Sequence, residues 1–456
     1  MGPSRRSAVL LLAAAALLRP QDRPRLLIVD IDGVRRDTFE NTYSEGRLPN
    51  FERLLRPAVW YDRAVGVIPT VTMASQSSIF TGVPPERHGI PGNGWFARSE
   101  ARLYEYTSPN LVPCLFAFTL LSGAECGPGL LNRHLLARTL YEAASEKGLR
   151  SVVSFHPLWR GATRALVPSL ADGLAWISGG GVDFEGFDRA MAARAAEVIE
   201  EEGVPDILTL YFAGTDEIGH SHGIAAQAPY LERVVDPALG RVIDAVAARE
   251  PGWQSYAMVV VTADHGRTDA EANPEDRTLA RDLLAAVERA GFGDGNARLA
   301  ANGGMAYVYL KNGEGWQELP SSGQAAAVQR EILADPVLAK TVERVTLRQE
   351  GVSERWGDLS VYLKRGHYFG NTGAGSHHGN MDELDLAVPL AVARPGWPAG
   401  HTGLDACITR VAATAAAFLG FEMEGAEPPL AVPTPAQDAR KSSTGSAGAA
   451  TPYTPR

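Results

Sequence analysis

Four short runs of apolar and β-branched residues punctuate the chain: Arg25–Ile31 (RLLIVDI), residues 151–155 (SVVSF), Ile207–Phe212 (ILTLYF) and Ala257–Thr262 (AMVVVT). Near-continuous hydrophobicity, rather than strict alternation, predicts strands covered on both faces, as in a parallel sheet. Residues 188–201 and 230–249 show helical spacing between these runs. Strand–helix alternation predicts an α/β sheet with right-handed crossovers. Residues 306–310 and 359–363 read as later strands of a subdomain or a sheet edge. Ligands of such sheets gather beyond the carboxyl ends of the strands. The residues that follow each run therefore decide the chemistry.

The two ends have different patterns. Arg5 and Arg6 precede an apolar run over residues 8–18, followed by Arg19-Pro20-Gln21. This predicts a signal peptide over residues 1–22 and an exported protein, periplasmic or extracellular, with an uncleaved N-terminal anchor as the alternative. The run falls short of the about 20 residues a membrane span needs, and no other stretch is long and apolar enough. Residues 427–456 are rich in Pro, Ala, Ser, Thr and Gly and predict a disordered tail. Residues 23–426 between them read as one large domain.

Composition narrows the class. Of 456 residues, 45% are hydrophobic and 21% charged, which excludes chain-wide disorder. The net charge of −10 argues against a general nucleic-acid coat, because phosphate backbones demand surplus cations. A small phosphate-bearing substrate held through metal ions stays compatible with it. Cys114, Cys126 and Cys407 cannot build a four-cysteine zinc site. Cys114 and Cys126 could pair across a short loop; three unpaired thiols fit equally well.

Candidate chemistry lies at the strand ends. The first run closes on Asp30-Ile-Asp32-Gly33. The third leads to Asp216 and Gly219-His220-Ser221-His222-Gly223, and the fourth to Asp264-His265-Gly266. Gly375-Ser-His377-His378-Gly379 comes far downstream. Five of the ten histidines sit in these clusters. Carboxylates beside imidazoles suit a divalent ion such as zinc. Taken singly, each cluster is an ordinary turn; three of them closing strands of one sheet point to a metal site. Thr72 lies in Pro69-Thr-Val-Thr72-Met-Ala-Ser, a loop turning into a helix. It reads either as the helix cap, which the local sequence favours, or as a nucleophile at a helix start where backbone N–H groups attract phosphate.

Together these stretches resemble the alkaline phosphatase superfamily, and within it the nucleotide pyrophosphatase/phosphodiesterase (type I phosphodiesterase) family. The resemblance rests on Asp32-Gly33, Pro69-Thr-Val-Thr72, Thr81-Gly-Val-Pro-Pro-Glu-Arg-His88-Gly-Ile-Pro-Gly-Asn93, Asp216 with Gly219-His220, Asp264-His265-Gly266 and His378-Gly379, in that order. It implies a sandwich with a central, mostly parallel sheet covered by helices on both faces, plus a small inserted subdomain. Two divalent ions, zinc by resemblance, are implied. Asp32, Thr72, Asp264 and His265 would hold the first, and Asp216, His220 and His378 the second. Thr72 would be the nucleophile, forming a phosphothreonine, and Asn93 would hydrogen-bond a phosphoryl oxygen. The substrate implied is a small phosphodiester or pyrophosphate of nucleotide type.

The chain departs from the family at Met73, where relatives that bind nucleotides often carry a phenylalanine. Trp95, Phe96, Phe155 and Trp159 could supply an aromatic wall, although core packing is the commoner fate of such residues. Residues 108–133 have no counterpart in compact relatives and read as a lid or an edge insertion. The run from Pro84 to Asn93 also resembles phosphonoacetate hydrolases of the same superfamily. A phosphomonoesterase, and an exported metal-binding protein without turnover, are the other readings.

Overall fold

The computed structural model describes residues 23–107, 129–168, 183–270, 280–293, 295–369 and 375–433. The expected signal peptide, the Cys114–Cys126 pair and most of residues 108–133 lie outside them. Along the chain the strands are β1 (Arg25–Ile31), β2 (Ala58–Val65), β3 (Gly94–Ala97), β4 (Arg102–Glu105), β5 (Ser151–Ser154), β6 (Arg164–Leu166), β7 (Ile207–Phe212), β8 (Ala257–Thr262), β9 (Thr268–Asp269), β10 (Ala297–Asn302), β11 (Met305–Leu310), β12 (Val342–Leu347), β13 (Leu359–Leu363), β14 (Ser376–His377), β15 (Leu390–Ala393) and β16 (Gly400–Cys407).

A single eight-stranded sheet carries the fold, in the order β16-β2-β15-β8-β1-β7-β5-β6. β1 pairs in parallel with β7 and β8, β5 with β6 and β7, and β16 with β2. β15 runs against both of its neighbours, β2 and β8. The fully apolar runs occupy the centre: every residue of β1, β7 and β8 is buried, as strands covered on both faces must be. Helices Thr72–Thr81, Leu140–Ser145 and Arg410–Phe418 pack together on one side. Helices Pro49–Leu55, Phe184–Glu202 and Asp236–Arg249 pack together on the other. The mostly parallel, two-sided sandwich is thus the architecture observed.

Later strands form the smaller unit. β10, β11, β13 and β12 make an antiparallel sheet with its own apolar cluster, including Val308, Val328, Ile332, Leu359 and Val361. This unit enters the chain between β8 and β15. The expected strand at 306–310 is β11, and that at 359–363 is β13.

Several boundaries moved for identifiable reasons. The helix expected from residue 188 starts at Phe184, because the Asp183 side chain caps it by accepting the Gly186 N–H at 2.9 Å. The helix expected over 230–249 is broken into a π turn at Leu231–Val235 and an α-helix from Asp236. Pro237 has no N–H to give, so the regular ladder cannot run through it. The segment expected to be a tail stays packed at its start. The Glu427 N–H donates to the Gly82 carbonyl at 2.7 Å, and Leu430 is buried with its N–H on Thr414 Oγ1. Residues 434–456 lie outside the described residues.

Candidate metal centre

Asp32 closes β1, Asp264 and His265 follow β8, and Asp216 and His220 sit on the helix Gly214–His222 after β7. Adjacent parallel strands deliver these side chains to one edge, where the strand direction dictates. Two groups of possible ligands result: Asp32, Asp264 and His265, and Asp216, His265 and His378, each with donor atoms within 4.8 Å of one another.

In the first group, His265 Nε2 lies 3.6 Å from Asp32 Oδ1, 3.4 Å from Asp264 Oδ2 and 3.3 Å from Thr72 Oγ1. The other atoms of these side chains are already engaged. Asp264 Oδ1 accepts the N–H groups of Gly33 and His265, at 3.0 and 2.9 Å. Asp32 Oδ2 accepts the Tyr211 hydroxyl. His265 Nδ1 faces the Gly266 carbonyl at 2.9 Å, which assigns its proton there and leaves the Nε2 lone pair pointing inward. Asp32 Oδ1 and Asp264 Oδ2 remain buried with no hydrogen-bond partner. Orphaned, converging carboxylate oxygens are costly without a cation. Burial, then the charge of Asp264, pushes Asp32 well above the usual carboxylate range. The donor set therefore fits a divalent ion in type and in geometry.

Thr72 is the first residue of the helix Thr72–Thr81, not its cap: Val71 occupies the cap position, and no side chain caps this end. The local cap reading is thereby corrected. Asn93 stands beside it, its Oδ1 accepting the Met73 N–H at 2.9 Å, which turns the amide Nδ2 away from that bond. The Pro84–Asn93 run is anchored from beneath. His88 Nε2 lies 3.0 Å from Ser78 Oγ and 3.1 Å from the Ala74 carbonyl, and Nδ1 accepts the Ile90 N–H. Burial lowers His88 to about 3, so it serves as a neutral brace of the helix.

Beside the second group stands His220, its Nε2 3.1 Å from Asp216 Oδ2 and 3.2 Å from His378 Nε2. His378 Nδ1 faces the Thr70 carbonyl at 2.9 Å, so its Nε2 points inward in turn. Two ring nitrogens facing each other beside a carboxylate again present a cation-shaped gap. Gly33, with φ of +58°, lets this group approach the first: a Cβ there would lie 2.3 Å from Asp216 Oδ1. His265 is common to both groups, its ring stacked on His378 at 3.8 Å.

Asp32, Thr72, Asp216, His220, Asp264, His265 and His378 thus lie together at one edge. His222 and His377 stay outside both groups; His377 stacks on Tyr368 at 3.6 Å. The aromatic wall does not form from Trp95, Phe96 and Phe155, which are buried in core clusters, while Trp159 is partly buried against the main core. Met73 is buried in the main core as well. Sequence reading missed Tyr211, hidden in an apolar strand run, and Arg267. The Arg267 guanidinium, fully buried, pairs with Asp216 Oδ1. Burial alone would raise Asp216, but His220 and Arg267 hold it well below the usual range.

The rat ectonucleotide pyrophosphatase/phosphodiesterase family member 1 is 25% identical over 246 residues, 54% of this chain and 24% of the rat protein. A venom phosphodiesterase of Crotalus durissus collilineatus is 23% identical over 249 residues, 53% of this chain and 26% of its own. The chain thus matches about a quarter of the length of these larger relatives. Among solved structures, the fold is shared with murine ectonucleotide pyrophosphatase/phosphodiesterase 5 (TM-score 0.61, 18% identity, 89% of this chain and 97% of the other). An inactive threonine-to-alanine variant of that mouse protein, in complex with AMP, gives a TM-score of 0.62 at 17% identity, over 90% of this chain and 97% of the other. Phosphonoacetate hydrolase from Sinorhizobium meliloti, in complex with phosphonoformate, matches with a TM-score of 0.60 and 19% identity over 88% and 97%. At such identities the solved structures speak for the fold alone. A sequence model described as type I phosphodiesterase/nucleotide pyrophosphatase matches residues 26–384, from β1 past the last of the converging histidines, and the chain belongs to that family of the alkaline phosphatase superfamily.

Proposed function

We propose that this chain is a metal-dependent hydrolase of small phosphodiesters or pyrophosphates that works through a covalent phosphothreonine on Thr72. The observation that carries the reading is the convergence of Thr72 Oγ1, His265 Nε2 and the two orphaned oxygens of Asp32 and Asp264. Two divalent ions held by Asp32, Thr72, Asp264 and His265 and by Asp216, His220 and His378 would supply charge neutralisation and an acidified hydroxyl. Zinc suits this mix of imidazole and carboxylate.

The protein's own groups then do the rest. Thr72 begins a helix, so its Oγ1 lies at the positive end of the helix dipole. Attack by Oγ1 on phosphorus forms the Thr72–O–P bond as the ester bond to the leaving group breaks. Hydrolysis of the phosphothreonine returns Oγ1 and releases a phosphomonoester. Asn93 is placed by its bond to Met73 to donate Nδ2–H to a phosphoryl oxygen, where charge builds up in the transition state. Because Met73 is buried, nothing at that position offers a face to a base, and no base preference is assigned.

A second reading keeps the same residues and changes the substrate. The shared fold with a phosphonoacetate hydrolase favours testing a carbon–phosphorus substrate beside the esters. The deciding experiment measures zinc-reconstituted turnover of bis-p-nitrophenyl phosphate, p-nitrophenyl phosphate and phosphonoacetate, each beside Thr72→Ala. Diester turnover lost in Thr72→Ala and with chelator supports the proposal. A preference for phosphonoacetate moves it to the second reading. Full diester activity in Thr72→Ala would falsify the nucleophile assignment.

A further inference from the structure

The two ligand groups differ in one respect that their ligands do not explain. Arg267 lies wholly buried behind Asp216, its Nη1 donating to the Asp216 carbonyl at 2.9 Å and to Ser376 Oγ at 3.0 Å, and its Nη2 to Asp216 Oδ1. Ser376 Oγ in turn donates to the Gly219 carbonyl at 2.8 Å. The guanidinium passes so close to the helix that a Cβ on Gly219 would sit 1.5 Å from Nη1, so glycine is required there. Among the described residues, no Lys or Arg reaches Asp32 or Asp264; their ion-pair partner is His265. The first group therefore presents two carboxylates and no fixed cation. The second presents one carboxylate already paired with a guanidinium, plus two imidazoles.

We propose that Arg267 is a resident counter-cation of the Asp216–His220–His378 group and makes it the weaker of two divalent-ion sites. This rests on the reading that both groups hold ions. Arg267 pairs with Asp216 Oδ1, which also lies 3.7 Å from His378 Nε2, and leaves Oδ2, beside His220, as the oxygen free of the guanidinium. An incoming ion meets that oxygen in correct orientation, but with its charge largely spent. Two fixed cations a few ångströms apart in a buried site repel, and water screens them little. The second ion is consequently held loosely, and activity rises with free metal concentration after the first group is full.

The test uses the full-length, chelator-stripped protein titrated with zinc in a metal buffer, followed calorimetrically. Wild type is expected to bind two ions with dissociation constants at least about tenfold apart. Asp32→Asn should weaken the tighter class, which assigns that class to the first group. Arg267→Gln, which keeps a hydrogen-bonding amide without the charge, should tighten the weaker class by about tenfold or more and leave the other unchanged. Arg267→Lys should keep the separation. Equal constants in wild type, weakening of the looser class by Asp32→Asn, or an unchanged separation in Arg267→Gln each overturn the proposal. Should Arg267→Gln fail to fold, Arg267→Met serves in its place, with the same tightening of the weaker class expected. One ion per chain in wild type removes the two-ion reading as well. Two ions of equal affinity, with Thr72-dependent turnover intact, remove only the role of Arg267.

Discussion

Replacing Tyr211 by phenylalanine isolates one oxygen atom at the metal centre. Tyr211 is buried in β7, and its hydroxyl donates to Asp32 Oδ2, leaving Oδ1 to face His265. The ring packs beside His156 at 5.1 Å and Phe155 at 6.0 Å, contacts that phenylalanine keeps. What disappears is one hydrogen bond to a carboxylate, worth about 1.5–3 kcal/mol. At about 1.4 kcal/mol per decade, the first ion should bind about 10–100-fold more weakly, the range seen when partners of metal ligands are removed. The pH dependence has a definite sign. Burial and then Asp264 raise Asp32, whereas Tyr211 lowers it. Without the hydroxyl, protons compete better for Asp32, so the deficit should grow as pH falls. Zinc-buffered titrations of the stripped wild type and Tyr211→Phe at two pH values measure both quantities. A change under about threefold, or a deficit that shrinks on acidification, would show that the hydroxyl does not hold Asp32 for the ion.

Asn93→Ala should lower kcat by about 10²–10³, the usual loss on deleting one transition-state donor, with ion stoichiometry retained by atomic absorption. Chelation should lower the melting temperature reversibly, since ions bound only by the folded state stabilise it by mass action; an unchanged melt after verified ion removal contradicts the centre. Asp188 gives a pH signature remote from the ligands. Burial raises it to about 7, despite bonds from Tyr230 and from the N–H of Gly214, where the Asp216 helix begins. An acid raised in the folded state binds more protons there than when unfolded, so its stabilisation is full below the unfolded value near 3.8 and lost as pH rises through about 7. Asp188→Asn should flatten the stability profile across that window, read by denaturant melts from acidic to neutral pH.

The strands that the hydropathy pattern revealed are those whose surroundings are apolar on both faces, such as β1 and β8. Their end residues were legible for the same reason, because polar groups stand out where an apolar run stops. β2 and β15 were not readable in this way. β2 carries the exposed pair Asp62 and Arg63 in its middle, and β15 owes its place to partners more than 100 residues away. Tyr211 and Arg267 escaped for a related reason. A tyrosine in an apolar run looks like packing, and an arginine after Asp-His-Gly looks like a solvated loop. What gives each its role is a carboxylate from another element: Asp32, 179 positions away, and Asp216, 51 away. Short-range pattern carries no trace of such contacts. The aromatic residues failed in the opposite direction: Trp95 and Phe96 have the chemistry of a binding wall, but burial claims them.

The reversed strand β15 is the keystone of the sheet, joining β2 and β16 to the parallel block. β8, β1, β7, β5 and β6 form a contiguous parallel block drawn from residues 25–262. β2, although second in the chain, touches that block only through β15, more than 300 residues later. Until β15 fills the gap between them, β2 has only β16 as a sheet neighbour and its other edge stays open to wrong partners and to proteases. The bond between His378 and the Thr70 carbonyl, spanning 308 positions, closes in the same late stage. Contacts of such separation form slowly. A nascent chain can therefore assemble the donors Asp32, Thr72, Asp264 and His265 while still lacking His378. Cutting the chain just before Leu390, which removes both β15 and β16, should leave a protease-sensitive β2.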